Sequence, residues 1–201
     1  MIKRLFDILF SFIGLLLLFP LFIVVGLLIL FDSRGGIFYR QVRVGKDETK
    51  FHLFKFRSMK SGSDTSGLLT VGDRDNRITR LGYYLRKSKI DELPQLINVL
   101  LGEMSIVGPR PEVQKYVDMY TTEQKKVLSV KPGITDYASI EYSDENERLG
   151  NIENPEQVYI QEIMPAKLQL NLKYIEEQSI ITDLKIIFKT IAKVIINKES
   201  L

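Results

Sequence analysis

The run Ile8-Leu9-Phe10-Ser11-Phe12-Ile13-Gly14-Leu15-Leu16-Leu17-Leu18-Phe19-Pro20-Leu21-Phe22-Ile23-Val24-Val25-Gly26-Leu27-Leu28-Ile29-Leu30-Phe31 holds twenty-four residues and no ionisable side chain. At about 1.5 Å of rise per residue, a continuous helix of that length matches a hydrocarbon core roughly 30 Å thick. It exceeds the ~7–15 residue apolar core of a signal peptide. No small-x-small cleavage site follows before Asp32-Ser33-Arg34. Its all-round hydrophobicity is also more than a globule of 201 residues ordinarily hides. The segment reads as a membrane helix. Lys3 and Arg4 precede it, and Arg34, Arg40, Arg43 and Lys46 follow it. Both flanks therefore favour the cytoplasmic side. Pro20 removes a backbone donor near the middle and favours a kink. On these residues two topologies stand level: a helix that bends at Pro20 and returns to its own face, and one that crosses.

Outward from this segment, charge is unevenly spread. Arg34 to Lys89 carries fourteen Lys/Arg and five Asp/Glu, whereas Ile90 onward carries twelve and eighteen. A basic middle beside a membrane segment suits polyanions such as headgroups or nucleotide phosphates. The absence of cysteine excludes disulfides, thiolate zinc sites and a Cys nucleophile. A single histidine, His52, rules out a multi-His metal centre, and no role falls to it.

Ile37 to Val44 and Phe51 to Arg57 are rich in β-branched and aromatic residues around Gly45-Lys46-Asp47, the pattern of a β-hairpin. Lys55 and Arg57 would share one face of its second strand, either as phosphate ligands or as plain edge charges. Ser61 to Gly72 reads as a polar loop, and Asp73-Arg74-Asp75-Asn76-Arg77 opens a helix over Ile78 to Arg86. Leu93, Leu96, Ile97, Leu100 and Leu101 then fall at i, i+3, i+4, i+7 and i+8 of a second helix that Gly102 can close. Asp91 and Glu92 stand at its N-terminus, with Pro94 in the first turn. The helix dipole there favours an ionised carboxylate, and a nucleophile, a Mg²⁺ ligand and a simple N-cap all fit such an aspartate. Farther on, Gly108-Pro109-Arg110-Pro111 presents an arginine from a loop stiffened by two prolines, suited to a phosphate oxygen or to nothing more than a turn.

Taken together, several stretches closely resemble the bacterial sugar transferases, the monotopic phosphoglycosyl transferases. They are Arg77-Ile78-Thr79-Arg80-Leu81-Gly82, then Ile90-Asp91-Glu92-Leu93-Pro94-Gln95-Leu96-Ile97-Asn98-Val99-Leu100, then Gly102-Glu103-Met104-Ser105-Ile106-Val107-Gly108-Pro109-Arg110-Pro111. The likeness extends to Lys3-Arg4-Leu5-Phe6-Asp7, Lys55-Phe56-Arg57-Ser58-Met59 and Lys131-Pro132-Gly133-Ile134-Thr135, and so over nearly the whole chain. Larger members carry an added multi-span region, and this chain resembles the catalytic unit alone.

The resemblance implies transfer of a sugar 1-phosphate from a UDP-sugar to undecaprenyl phosphate, with release of UMP, as the first step of surface-glycan assembly. It makes Asp91 the nucleophile and a Mg²⁺ ligand, and gives Glu92 an assisting role at the metal or as a base. It places Arg86 and Arg110 on substrate phosphates, where Lys55 and Arg57 of the hairpin are the further candidate phosphate ligands. The fold it implies is α+β and mainly helical. A re-entrant membrane helix occupies residues 1–32, and a catalytic domain over 33–201, with a β-hairpin and interfacial amphipathic helices, rests on the cytoplasmic face of the bacterial inner membrane. Implied partners are anionic lipid and downstream glycosyltransferases.

Asp183 to Lys198, with Lys185, Lys189 and Lys193 every four residues, fits a helix in the interface or one packed on the core. Two departures stand out. Phe19 precedes Pro20 where the family usually has serine, and Asp136-Tyr137-Ala138 follows Thr135 where many members have Gly-Trp-Ala. Glu141 to Glu153 reads as a solvated acidic loop. The rival readings are a catalytically silent membrane adaptor, which has no need of an acid pair, and a nucleic-acid binder, for which no groove-reading motif is present.

Overall fold

The computed structural model describes residues 2–63, 72, 75–150 and 152–199, with backbone only at 147 and 195–199. The apolar run forms one helix, α1 (Ile2–Asp32), continuous through Pro20. By length and composition it is able to cross a membrane, and among the described residues no other helix is. Leu9, Phe12, Leu16, Leu17, Phe19 and Phe31 all point outward. An apolar surface of that extent is stable in lipid rather than in water.

Where α1 meets the rest of the protein, charged side chains make the contact near its start and apolar ones join them near its end. Near its start, Lys3 Nζ donates to Asp183 Oδ2 (2.5 Å) and to the Val107 carbonyl (3.0 Å). Arg4 donates to the carbonyls of Val99 (2.6 Å) and Leu100 (2.9 Å), and Asp7 Oδ1 accepts from Ser105 Oγ and Ile106 N, both at 3.0 Å. Near its end, Arg57 donates to the carbonyls of Ser33 (2.6 Å) and Arg34 (2.8 Å), while Val25 and Ile29 pack with Phe56 and Leu85. Both ends of α1 are thus fastened to the same body.

The hairpin forms as its sequence implies. Strands β1 (Phe38–Val44) and β2 (Lys50–Phe56) pair antiparallel, with Phe38 opposite Phe56 and Val44 opposite Lys50. Phe51 and Leu53 send their side chains against Val99 and Met104. Helix α2 (Arg80–Lys87) begins two residues later than the periodicity suggests, because Thr79 Oγ1 accepts from the Gly82 amide (2.9 Å) and fixes the start there. Gly82 is required at that point, since a Cβ on it would lie 1.9 Å from the Ser58 carbonyl oxygen. Helix α3 (Gln95–Leu101) ends at Gly102, whose φ of 89° closes it.

The helix forms where the leucine spacing places it, but which face is buried is a separate matter. Its leucine stripe is not the buried face; Gln95, Asn98 and Val99 are. Leu96 lies over Gly14 of α1, and Leu101 is 65% exposed. An apolar stripe cannot distinguish a protein core from a lipid-facing neighbour, because both reward loss of water equally. The polar face is buried because Asn98 Oδ1 accepts from Phe54 N (3.0 Å) and its Nδ2 donates to the His52 carbonyl (2.7 Å), stitching α3 to β2.

The rest of the chain runs β3 (Ser105–Val107), α4 (Gln114–Val117), β4 (Gly133–Thr135), α5 (Tyr137–Glu141), α6 (Glu145–Gly150), α7 (Pro155–Val158), a π turn at Tyr159–Ile163, α8 (Met164–Glu176) and α9 (Ile180–Glu199). Strands β3 and β4 are parallel, and a Cβ on Gly133 would lie 2.1 Å from Gly108 N, so the backbones meet where the arginine loop begins. Val113, Tyr116, Val127, Leu149, Tyr159, Ile163, Met164 and Leu168 form the core of this half.

The acidic stretch is not a solvated loop throughout. It contains α6, whose Leu149 is fully buried and whose Glu145 pairs with Lys167 at 2.6 Å. The Asp144–Arg148 ion pair at 2.9 Å adds to these contacts. Helix α9 packs inward through Asp183, Ile186 and Thr190, while Ile181, Phe188 and Ile191 are exposed beside Lys185, Lys189 and Lys193. Of the polar loop Ser61 to Gly72, all but 61–63 and 72 lies outside the described residues, as does Asp73-Arg74.

Candidate active site

Between α2 and α3 the chain makes a 3₁₀ turn, Ile90–Glu92, entered through Lys89 at φ 58°. A left-handed non-glycine residue stores strain, and here it sets the direction in which the next two side chains leave the backbone. The two then part company.

Glu92 is fully engaged. Its Oε1 accepts from Arg110 Nη2 (2.5 Å) and Lys55 Nζ (3.1 Å), and its Oε2 accepts from Arg110 Nη1 (3.1 Å). This is the bidentate fork that arginine makes with a carboxylate. Asp91 is 4% exposed, no hydrogen bond reaches it, and its buried Oδ1 has no partner among the described residues.

The electrostatics follow from this division. Burial pushes the Asp91 carboxyl above its ordinary range, the adjacent Glu92 carboxylate pushes it further, and Lys55, Arg86 and Lys89 oppose the rise. The helix-terminus argument, which favoured an easily ionised aspartate, is therefore overridden by desolvation. Burial likewise acts to raise Glu92, but Arg110 and Lys55 more than reverse it and hold that carboxyl well below the usual range. Lys55 is lowered, first by its own burial and then by Arg110, against the pull of Glu92.

Arg110 arrives from the loop that follows β3. Its backbone N donates to Asp136 Oδ2 (3.1 Å), and Asp136 Oδ1 accepts from Ser139 N (2.6 Å) at the start of α5. Asp136 thus holds the arginine loop to β4 and α5. Sequence reasoning marked it only as a departure, although an aspartate just before a helix is a capping signal. Asn98, missed as well, was detectable as one of two amides, with Gln95, in a leucine-rich helix.

Arg86 closes the last turn of α2 half-buried, with no acceptor on its guanidinium among the described residues. Arg57 is placed elsewhere. It lies one residue beyond β2 rather than on its face, and donates to carbonyl oxygens at the end of α1. A guanidinium committed to several carbonyls and 7% exposed closes a helix end, not a phosphate site. The structure accordingly gathers Asp91, Glu92, Lys55, Arg86 and Arg110, and leaves Arg57 out.

Two carboxylates among four cations, counting Lys89, make a cluster with surplus positive charge. The profile described as bacterial sugar transferase matches residues 1–197. The chain belongs to the bacterial sugar transferases. Relatives within the family include the UDP-glucose:undecaprenyl-phosphate glucose-1-phosphate transferase of Klebsiella pneumoniae, 37% identical over 98% of this chain and 41% of that protein. The UDP-N-acetylgalactosamine-undecaprenyl-phosphate N-acetylgalactosaminephosphotransferase of Aeromonas hydrophila is 36% identical over 96% of this chain and 44% of its own length. Exopolysaccharide production protein PSS of Rhizobium leguminosarum bv. phaseoli is 36% identical over 94% and 93%. The chain thus spans about two fifths of the first two and nearly all of the third.

The Mg²⁺ that the family resemblance implies can be tested against the donors. Among the described residues no group of three or more acidic or histidine side chains stands ready to hold a metal. Mg²⁺ does not need one, since it keeps several waters and commonly takes one or two carboxylates together with substrate phosphates. With Glu92 claimed by two cations, the unpartnered Oδ1 of Asp91 is the oxygen that fits.

Proposed function

We propose that this protein transfers a sugar 1-phosphate from a UDP-sugar to undecaprenyl phosphate. The observation that carries the reading is the contrast within the dyad: Asp91 is buried and unbonded, while Glu92 is locked to Arg110 and Lys55. Desolvation without a hydrogen bond leaves the lone pairs of Asp91 available for attack. An Asp91 oxygen bonds to the β-phosphorus, the bond from that phosphorus to the bridging oxygen breaks, and UMP leaves with the bonding pair. The sugar phosphate is then an acyl phosphate on Asp91. A phosphate oxygen of undecaprenyl phosphate next attacks the same phosphorus, Asp91 departs as carboxylate, and the diphosphate-linked sugar is formed. Asp91 and the donor phosphates would hold Mg²⁺, which supplies charge neutralisation at the diphosphate when bound.

The work of Glu92 is to keep Arg110 and Lys55 on the phosphate side of the site. A carboxyl held so low is a weak base, and a phosphate monoester with a second pKa of about 6 needs none at neutral pH. Arg86, whose guanidinium is uncommitted, is the further cation for the diphosphate.

Incubating the protein with a UDP-sugar carrying ³²P at the β-phosphate, without lipid, is expected to label Asp91 and release one equivalent of UMP. Full lipid product without any labelled protein would reject the mechanism.

The acceptor is a membrane lipid, so the site must lie at headgroup level. Attachment of both ends of α1 to one body supports the re-entrant topology, because a crossing helix would separate its ends by the bilayer. The basic flanks then lie on the cytoplasmic side of the bacterial inner membrane. The lysines of α9 suit anionic lipid, and its exposed Ile181, Phe188 and Ile191 suit the acyl boundary. Single cysteines introduced at residues 2 and 36 should both react with an impermeant thiol reagent from the cytoplasmic face. Reaction from opposite faces would establish a crossing helix.

A further inference from the structure

We infer that Gln95 is a further catalytic residue of this reaction: its side-chain amide donates to a non-bridging oxygen of the phosphoryl group that Asp91 carries. The inference rests on the reading of Asp91 as nucleophile.

Its basis is the face of the helix that follows the dyad. The 3₁₀ turn winds into α3 without a break, through Leu93 N to Ile90 O (3.2 Å), Leu96 N to Leu93 O (3.1 Å) and Ile97 N to Pro94 O (3.0 Å). The buried positions along this winding are Asp91, Pro94, Gln95, Asn98 and Val99. They recur at i, i+3, i+4, i+7 and i+8, so Asp91 and Gln95 share one face, a single turn apart.

Three polar side chains lie on that face, and their fates differ. Asn98 is satisfied by β2 and by Glu103 Oε2 at 2.7 Å. Gln95 is 1% exposed and, among the described residues, its Nε2 has no acceptor, just as Asp91 Oδ1 has no donor. A buried amide donor without a partner is destabilising, and a methionine or leucine would fill the same space without that cost. The donor makes chemical sense once an acceptor arrives. The acceptors that reach this face during turnover are the anionic oxygens of the phosphoryl group bonded to Asp91. A neutral, already desolvated donor stabilises charge on those oxygens without a rearrangement of solvent. The two unpaired atoms are complementary in kind, an acceptor on the carboxylate that attacks phosphorus and a donor left for the oxygens around it.

The test uses the full chain in lipid nanodiscs, with donor alone for the first half-reaction and melting followed in parallel. Gln95→Met removes the donor while keeping the volume. It is expected to melt no earlier than wild type and to slow the UMP burst by roughly 10²–10³-fold. Because the interaction is made in the transition state, KM for the donor should stay within about threefold. Gln95→Glu, which replaces the donor by an acceptor in nearly the same shape, gives a second reading if the methionine variant does not fold. A burst within about threefold of wild type in a folded variant would overturn the assignment of Gln95 alone. Absence of burst and label in the wild-type protein would instead overturn the reading of Asp91 beneath it.

Discussion

Asp91→Asn is expected to stop UMP release, with a loss on the order of 10⁴–10⁶-fold, the scale seen when a covalent nucleophile is removed. The same variant should be at least as stable as wild type at neutral pH when Mg²⁺ is chelated. Burial raises the Asp91 carboxyl above its unfolded value, so the folded chain holds this proton more tightly than the unfolded chain does. Above that window the ionised carboxylate subtracts from stability, and below an unfolded pKa of about 3.9 the penalty vanishes. Asparagine never ionises, so the gain from the substitution should appear at pH 7 and fade in acid. Turnover with donor and lipid, beside thermal melting at pH 7 and pH 4, measures both halves. A dead enzyme that melts earlier at pH 7 would mean that Asp91 is a structural residue. In the wild-type protein the acid limb of the burst rate should lie above the usual carboxylate range, for the same reason.

Arg110→Ala is expected to lower kcat/KM by roughly 10²–10³-fold, the effect of losing one fixed donor at a developing anion. Arg110→Lys should recover little of it. A lysine is a point charge that cannot span both oxygens of Glu92 while also facing a phosphate. The stability cost has a defined pH signature. Glu92 is held low by Arg110 and Lys55, so the ion pair contributes above the unfolded carboxyl pKa and is lost as pH falls through the folded value. The difference in melting between wild type and Arg110→Ala should therefore be widest near neutrality and narrow below about pH 4. A kcat/KM unchanged by the alanine substitution would remove Arg110 from the site.

Much of this was legible along the chain. The hairpin showed in its alternation, α1 in its uninterrupted apolar run, and the Arg110 loop in its flanking prolines. Local rules write those features, and they survive folding because nothing in the tertiary structure opposes them. The errors have a common source. The start of α2, the fate of Glu141 to Glu153 and the placement of Arg57 each depend on which surface comes to lie opposite. Arg57 is instructive: one residue beyond β2 it meets the last carbonyls of α1, which are distant in sequence and invisible to any local pattern.

By itself, then, the sequence determined that an acid pair precedes an apolar helix, that an arginine sits in a stiff loop and that one segment prefers lipid, since charge, apolar length and proline stiffness belong to residues wherever they are placed. Only the tertiary structure decided how the two acids differ. Arg110 and Lys55 come from separate parts of the chain to claim Glu92, and the same packing takes water from Asp91 without giving it a partner. Adjacent carboxylates are alike until something desolvates one and pairs the other, and that is a property of what surrounds them.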